Sequence, residues 1–204
     1  MSLRTVQYAL WGLVAIAGGA FGGYFYMTNV QQPQSQQLAG AQQIGGPFNL
    51  TDHNGAAITE AALKDTPSIL FFGFTHCPEI CPTTLSDISG WLDETGDSGK
   101  NIKSYFITVD PERDSPEVMK DYVTAFSDRI TGITGTPENI TQVLRNYRVY
   151  ANKVRLGNGD YTMDHTASVI LLDAQGEFVS TISYGEVPSA VSYTHLTLPT
   201  IYSV

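Results

Sequence analysis

Ser68–Leu85 reads SILFFGFTHCPEICPTTL. Ser68 to Phe74 is an almost unbroken apolar run, the pattern of a strand buried on both faces. Beyond it, Leu85, Ile88 and Trp91/Leu92 recur at helical spacing, and Gly96–Gly99 ends the helix. The strand-to-helix turn between them holds Cys77 and Cys81, the only cysteines of the 204-residue chain. A proline follows each, which places Cys77 near the helix N-cap and Cys81 in the first turn. The exposed N–H groups and positive dipole end of the helix favour a thiolate at Cys77. Residues i and i+4 of a helix have Cα atoms roughly 6 Å apart, within disulfide reach. The bland alternative is a pair of small buried hydrophobes. Two sulfurs at the mouth of such a turn point instead to dithiol–disulfide cycling or to a soft metal ion.

Working outward, Gly45-Gly46-Pro47-Phe48 opens the domain and Asp52-His53-Asn54-Gly55 has the composition of a hairpin turn. Tyr105–Val109 is a second buried strand, ending in Asp110-Pro111. Ser115-Pro116-Glu117 and Thr136-Pro137-Glu138 each start a helix with an N-cap, an N1 proline and a first-turn acid. The expected buried stripes are Val118, Tyr122 and Phe126 in the first, and Ile140, Val143, Leu144 and Tyr147 in the second. Ala167–Leu172, the turn Asp173–Gly176 and Phe178–Ser183 read as a closing β-hairpin. The order β–α–β–α–α–ββ predicts an α/β, thioredoxin-like domain with the cysteines at the C-terminal end of a central strand.

The N-terminus predicts the compartment. No charged residue lies between Arg4 and Asp52, and Val6–Met27 is mostly apolar or small. Twenty-two helical residues span about 33 Å, enough to cross a hydrocarbon core of about 30 Å. Residues 6–27 are therefore read as a single transmembrane anchor, with 1–5 cytoplasmic and the rest outside a bacterial inner membrane, in the periplasm. The competing reading is a signal peptide cleaved after Ala15-Ile16-Ala17. Residues 28–46, Gln-rich and without periodicity, read as a flexible linker. Residues 47–186 form the domain. All 20 acidic residues and 10 of the 11 basic ones follow the linker, so nucleic acid is excluded as a partner.

FGFTHCPEICPTTL, FITVDPERDSPEVMKDYV, ITGTPENI and YTMDHTASVILLD closely resemble, in order and spacing from about Gly45 to Gly185, the Sco/SenC family of membrane-anchored copper proteins. That resemblance implies a thioredoxin fold and a role in assembling the binuclear copper centre of cytochrome c oxidase subunit II. It also implies Cys77, Cys81 and His165 as copper ligands, Cys77 and Cys81 as the disulfide pair, and Asp110 as a residue of partner recognition or copper handling. Two thiolates and one imidazole suit Cu(I), with Cu(II) left open. In a thioredoxin layout the loop entering the last hairpin lies beside the cysteine turn, so His165 can close the site. His76 is expected to point away from the metal, His53 to be solvated in its turn, and Arg113 with Asp114 to form a capped turn with an Arg–carboxylate pair. Where the family continues into an amphipathic helix, residues 187–204 (VPSAVSYTHLTLPTIYSV, with His195) show no helical period and read as a non-native tail.

Two functions compete. One is a copper metallochaperone, a binding and delivery protein with an upstream copper donor. The other is a thiol–disulfide oxidoreductase that reduces the copper-ligand cysteines of the oxidase subunit, fed by an upstream thiol reductant. A purely redox protein has no need of His165. A peroxidase is disfavoured because Thr75 stands two residues before Cys77, where three are wanted. Three ligands with two thiolates do not close a structural zinc site.

Overall fold

Ser68–Gly73 forms β3, and all six of its residues are buried, as its apolar run predicts. The computed structural model describes residues 44–157 and 159–185, together with Arg4, Trp11, Gly18, Gly19, Phe21 and Gly23. Around β3 stand β1 (Asn49–Asp52), β2 (Ala57–Thr59), β4 (Lys103–Thr108), β5 (Ile130–Thr134), β8 (Val169–Leu172) and β9 (Phe178–Ile182). Their order across one seven-stranded sheet is β2-β1-β5-β4-β3-β8-β9. β3, β4 and β5 run parallel, while β1 joins β5 and β8 joins β3 antiparallel. Parallel neighbours need crossovers, and the helices supply them. These are α1 (Ile80–Glu94) between β3 and β4, and α2 (Pro116–Thr124) between β4 and β5. α3 (Pro137–Asn146) follows β5. This is the expected α/β architecture, with the cysteine turn at the C-terminal end of β3.

Local chemistry explains the boundaries. Ser115 Oγ accepts from Val118 N, and Thr136 Oγ1 accepts from Asn139 N, so both expected N-caps are in place behind their prolines. Both hairpins use one device: Asp52 Oδ1 accepts from the N–H groups of Asn54 and Ala56, and Asp173 Oδ1 from those of Gln175 and Glu177. The core is continuous through Phe71, Phe72, Phe106, Leu85, Ile88 and Leu92, all fully buried.

The structure corrects several expectations. β5 is an added strand, paired on both sides, which Gly132 and Gly135 hide in the sequence. β6 (Ala151–Arg155) and β7 (Tyr161–His165) form a second, two-stranded sheet that ends in His165. The inward seam of α2 is Met119 and Val123, with Tyr122 and Phe126 half-buried against the core. Val118, expected to be buried, is 38% exposed because the seam begins one residue later. His53 is not solvated: it is half-buried, its Nδ1 accepts from Gly132 N at 2.9 Å, and burial pushes its pKa down.

Residues 1–43 form a separate unit by contacts. The expected anchor at 6–27 falls almost wholly outside the described residues, as do the linker, the tail and His195. Among the described residues, no helix is long and apolar enough to cross a membrane.

Candidate metal centre

The turn after β3 folds back on itself, Cys77 N donating to Phe74 O at 3.2 Å. Glu79 occupies the N-cap of α1 but makes no side-chain cap bond. A sulfur takes that role, for Cys77 Sγ accepts from Cys81 N at 3.3 Å. Cys77 thus stands just before the helix instead of at its N-cap, yet still faces the free N–H groups of its first turn. Cys81, the second residue of α1, is fully buried, and its sulfur packs over the end of β3. A Cβ at Gly73 would lie 2.7 Å from Cys81 Sγ and 2.7 Å from Phe106 Cε2, so the buried thiol fits only because residue 73 has no side chain. Both cysteines are free thiols.

His165 closes the group from β7. Its Nε2 lies 3.7 Å from Cys81 Sγ, and the three donor atoms all fall within 4.8 Å of one another. Its Nδ1 is 2.9 Å from Thr166 O. A carbonyl can only accept, so Nδ1 carries the proton and Nε2 keeps its lone pair turned to the sulfurs. The Phe74 ring meets the imidazole edge-on, with centroids 5.7 Å apart, and limits its tilt. Cys77 remains half-exposed at the floor of a cleft of about 240 Å³, lined also by Phe74, Ile80, Met163 and His165.

The two thiols are electrostatically unlike. The Cys77 thiol is pulled down to about 4, chiefly by a hydrogen bond from Cys81, with help from the N–H groups of Cys81 and Glu79, against the cost of burial. Cys81 is pushed strongly the other way by its bond to Cys77 and by burial. The pair therefore carries one negative charge, on the reachable sulfur, and one proton, on the buried one. A metal ion binding both sulfurs must displace that proton, so uptake by the pair releases acid.

Support for the cysteine loop comes from the turn after β4. Asp114, fully buried, accepts from Thr75 Oγ1 at 2.6 Å, Thr108 Oγ1 at 2.5 Å and Thr75 N at 3.2 Å. It anchors the loop two residues before Cys77. The expected Arg–carboxylate pair is present in this turn, but its acid is Asp110 and not Asp114: Arg113 Nε binds Asp110 Oδ2 at 2.5 Å. Asp110 is itself 2% exposed, and its other oxygen accepts from Tyr161 Oη at 3.0 Å. The carboxylate is enclosed by Arg113 and Tyr161. His76 is exposed, with Nδ1 3.1 Å from Thr75 Oγ1, and lies outside the ligand group as expected. Gly73, Arg113 and Tyr161 are parts of the site that the sequence alone does not mark. The only available signals are the DPERD turn and the Gly157-Asn158-Gly159 turn between β6 and β7.

Known proteins resemble this chain in sequence and in fold. The SCO1/SenC family profile matches residues 36–196. The mitochondrial protein SCO2 of Saccharomyces cerevisiae is 36% identical over 193 residues, covering 88% of this chain and 63% of that protein. The chain thus spans less than two thirds of that curated relative's length. Among solved structures, Bradyrhizobium japonicum ScoI with copper bound is 48% identical with a TM-score of 0.69, covering 73% of this chain and 95% of that one. Arabidopsis thaliana ScoI with copper bound is 38% identical with a TM-score of 0.70, covering 73% and 93%. With a thioredoxin-like sheet, a Cys–Cys–His cluster at the C-terminal end of an interior strand and a family match over most of its length, the chain belongs to the SCO1/SenC family.

Proposed function

We propose that this chain is a membrane-tethered copper metallochaperone. It takes one Cu(I) on Cys77, Cys81 and His165 and passes it to the binuclear copper centre of cytochrome c oxidase subunit II. The observation that carries the reading is the convergence of two sulfurs and an unprotonated imidazole nitrogen within 4.8 Å, beside an open cleft. Cu(I) is soft, accepts three ligands and suits this donor set. Both solved relatives named above hold copper, which supports carrying the metal over to this chain. The choice of subunit II, and of an upstream copper donor, rests on the family likeness alone.

A second reading is favoured by the charge on Cys77. In that reading its thiolate attacks a disulfide in the oxidase subunit to form a mixed disulfide. Cys81, once deprotonated, then attacks Cys77 and releases the subunit as a dithiol, leaving Cys77–Cys81 oxidised until an upstream thiol reductant restores it. His165 has no part in that exchange, which favours copper.

His165→Ala separates the two. In anaerobic reduced protein it should weaken Cu(I) retention about 10-fold or more, while the dithiol still reduces a disulfide-bonded subunit II domain at a near wild-type rate. Unchanged copper retention with lost disulfide exchange would replace the first reading by the second.

Residues 6–27 are proposed to hold the domain on the outer face of a bacterial inner membrane. Protease added to intact spheroplasts should digest the domain and leave the anchor in the membrane fraction. A soluble form beginning near Gly18 would identify a cleaved signal instead.

A further inference from the structure

His165 ends a two-stranded sheet that shares no ladder with the seven-stranded one. Beyond the short link to β8 and the packing of Met163 and Ala151 on the core, its placement against the cysteines depends on side-chain contacts that converge on the turn from Asp110 to Asp114. Arg113 Nε holds the buried Asp110, its Nη1 donates to Tyr161 O at 3.1 Å, and the same nitrogen lies 3.5 Å from Asp160 Oδ1. The guanidinium carbon sits 3.8 Å from the centroid of the Tyr161 ring. Tyr161 Oη returns to Asp110, and its pKa is pushed up to about 12 by burial and by that carboxylate, which keeps the phenol a donor. From the neighbouring strand, Lys153 Nζ lies 4.1 Å from the same ring and binds Glu112 at 2.7 Å. Arg113 also reaches the Phe74 ring, 5.9 Å away, which in turn abuts His165. The Lys153–Glu112 pair is exposed and contributes little. The Arg113–Asp110 pair, with side chains 18% and 2% exposed, is the strong member. One five-residue turn thus holds the cysteine loop through Asp114 and the His165 hairpin through Arg113.

Resting on the copper reading above, we infer that Arg113, seated on Asp110, is the positioning residue that sets His165 against Cys77 and Cys81, and that it acts on the metal only through His165. Opening this latch leaves a two-sulfur site whose imidazole has swung out of reach. The latch is a means of loosening copper without touching either cysteine, available to any partner that engages the Tyr161 edge of the hairpin.

The test is a thermodynamic cycle on the full domain, reduced and anaerobic, with Cu(I) affinity read by competition against a bathocuproine chelator. The neutral pair Asp110→Asn/Arg113→Gln removes the ion pair without burying a lone charge. It should lower Cu(I) affinity roughly 10- to 100-fold, as supporting residues of metal ligands do, and should reduce the nitrogen count in copper X-ray absorption. In a His165→Ala background the same pair should change affinity less than about twofold, because the ligand it positions is already gone. The midpoint potential of the dithiol should not move in either background. Should the pair fail to fold, Tyr161→Phe leaves the ion pair intact and removes only the hydrogen bond to Asp110, with an expected loss of about 3- to 10-fold under the same cycle. Equal losses in both backgrounds, or no loss in either, overturn the inference while leaving the copper reading standing. Wild-type protein that binds no Cu(I) through sulfur overturns the copper reading itself, and the latch with it.

Discussion

Cys81→Ser should lower Cu(I) affinity by at least about 100-fold, the largest binding effect expected of any single substitution in the domain. The replacement exchanges a soft donor for a hydroxyl that does not ionise at any working pH and that a soft ion ignores. The shorter Cβ–Oγ bond leaves the space above Gly73 and beside Phe106 incompletely filled. One of only two soft sulfur donors is lost outright, which is why the effect should exceed that of His165→Ala. The check is competition with a chelator at fixed pH, with X-ray absorption on the same sample. Affinity within about threefold of wild type would mean that the buried sulfur is not a ligand.

Asp114→Ala should cost about 3–5 kcal/mol of folding stability, a large share of the roughly 5–15 kcal/mol typical of a domain. It strands the fully buried hydroxyl of Thr108 and the partly buried hydroxyl and N–H of Thr75, and it leaves a void behind them. Asp114→Asn keeps one acceptor oxygen and should cost less than half as much. The two variants also differ from wild type in pH dependence. Burial raises the pKa of Asp114 in the folded state, so the folded chain holds that proton to higher pH than the unfolded chain does. Its contribution is therefore full below the ordinary carboxylate range and declines as pH rises through the raised value. Denaturant unfolding of wild type across that window should show this decline, and the Asn variant should lack it. A flat wild-type profile, or an Ala variant as stable as wild type, would show that the carboxylate does not anchor the cysteine loop.

How legible each element is in the sequence follows from how it is buried. β3 and β4 announce themselves because both faces are covered, and a short continuous apolar run is the mark of a strand enclosed in that way. α2 and α3 are readable from their N-caps and prolines, although proline fixes where a helix starts more firmly than which side turns inward. Hence Val118 lies one position away from the seam it is expected to join. β5 is short and carries Gly132, where a Cβ would come within 3.1 Å of Met119 Cβ, so close approach has removed the side chain that would have marked the strand. β6 and β7 lie outside the main sheet, and only Met163 and Ala151 among their apolar residues pack on the core, so no alternation betrays them. The donor trio is legible through its motifs. The enclosure of Asp110 is not, because a DPERD turn looks the same in sequence whether its first acid faces water or an arginine.

Cys81 and His165 stand 84 positions apart, and the ladder that joins their neighbourhoods is the antiparallel pairing of β8 with β3. In a growing chain the two sulfurs emerge long before the imidazole, and the ladder that unites them closes late, because distant contacts form slowly. Until the final hairpin docks, a copper ion would meet two sulfurs and no imidazole, so the complete donor set exists only in a finished fold.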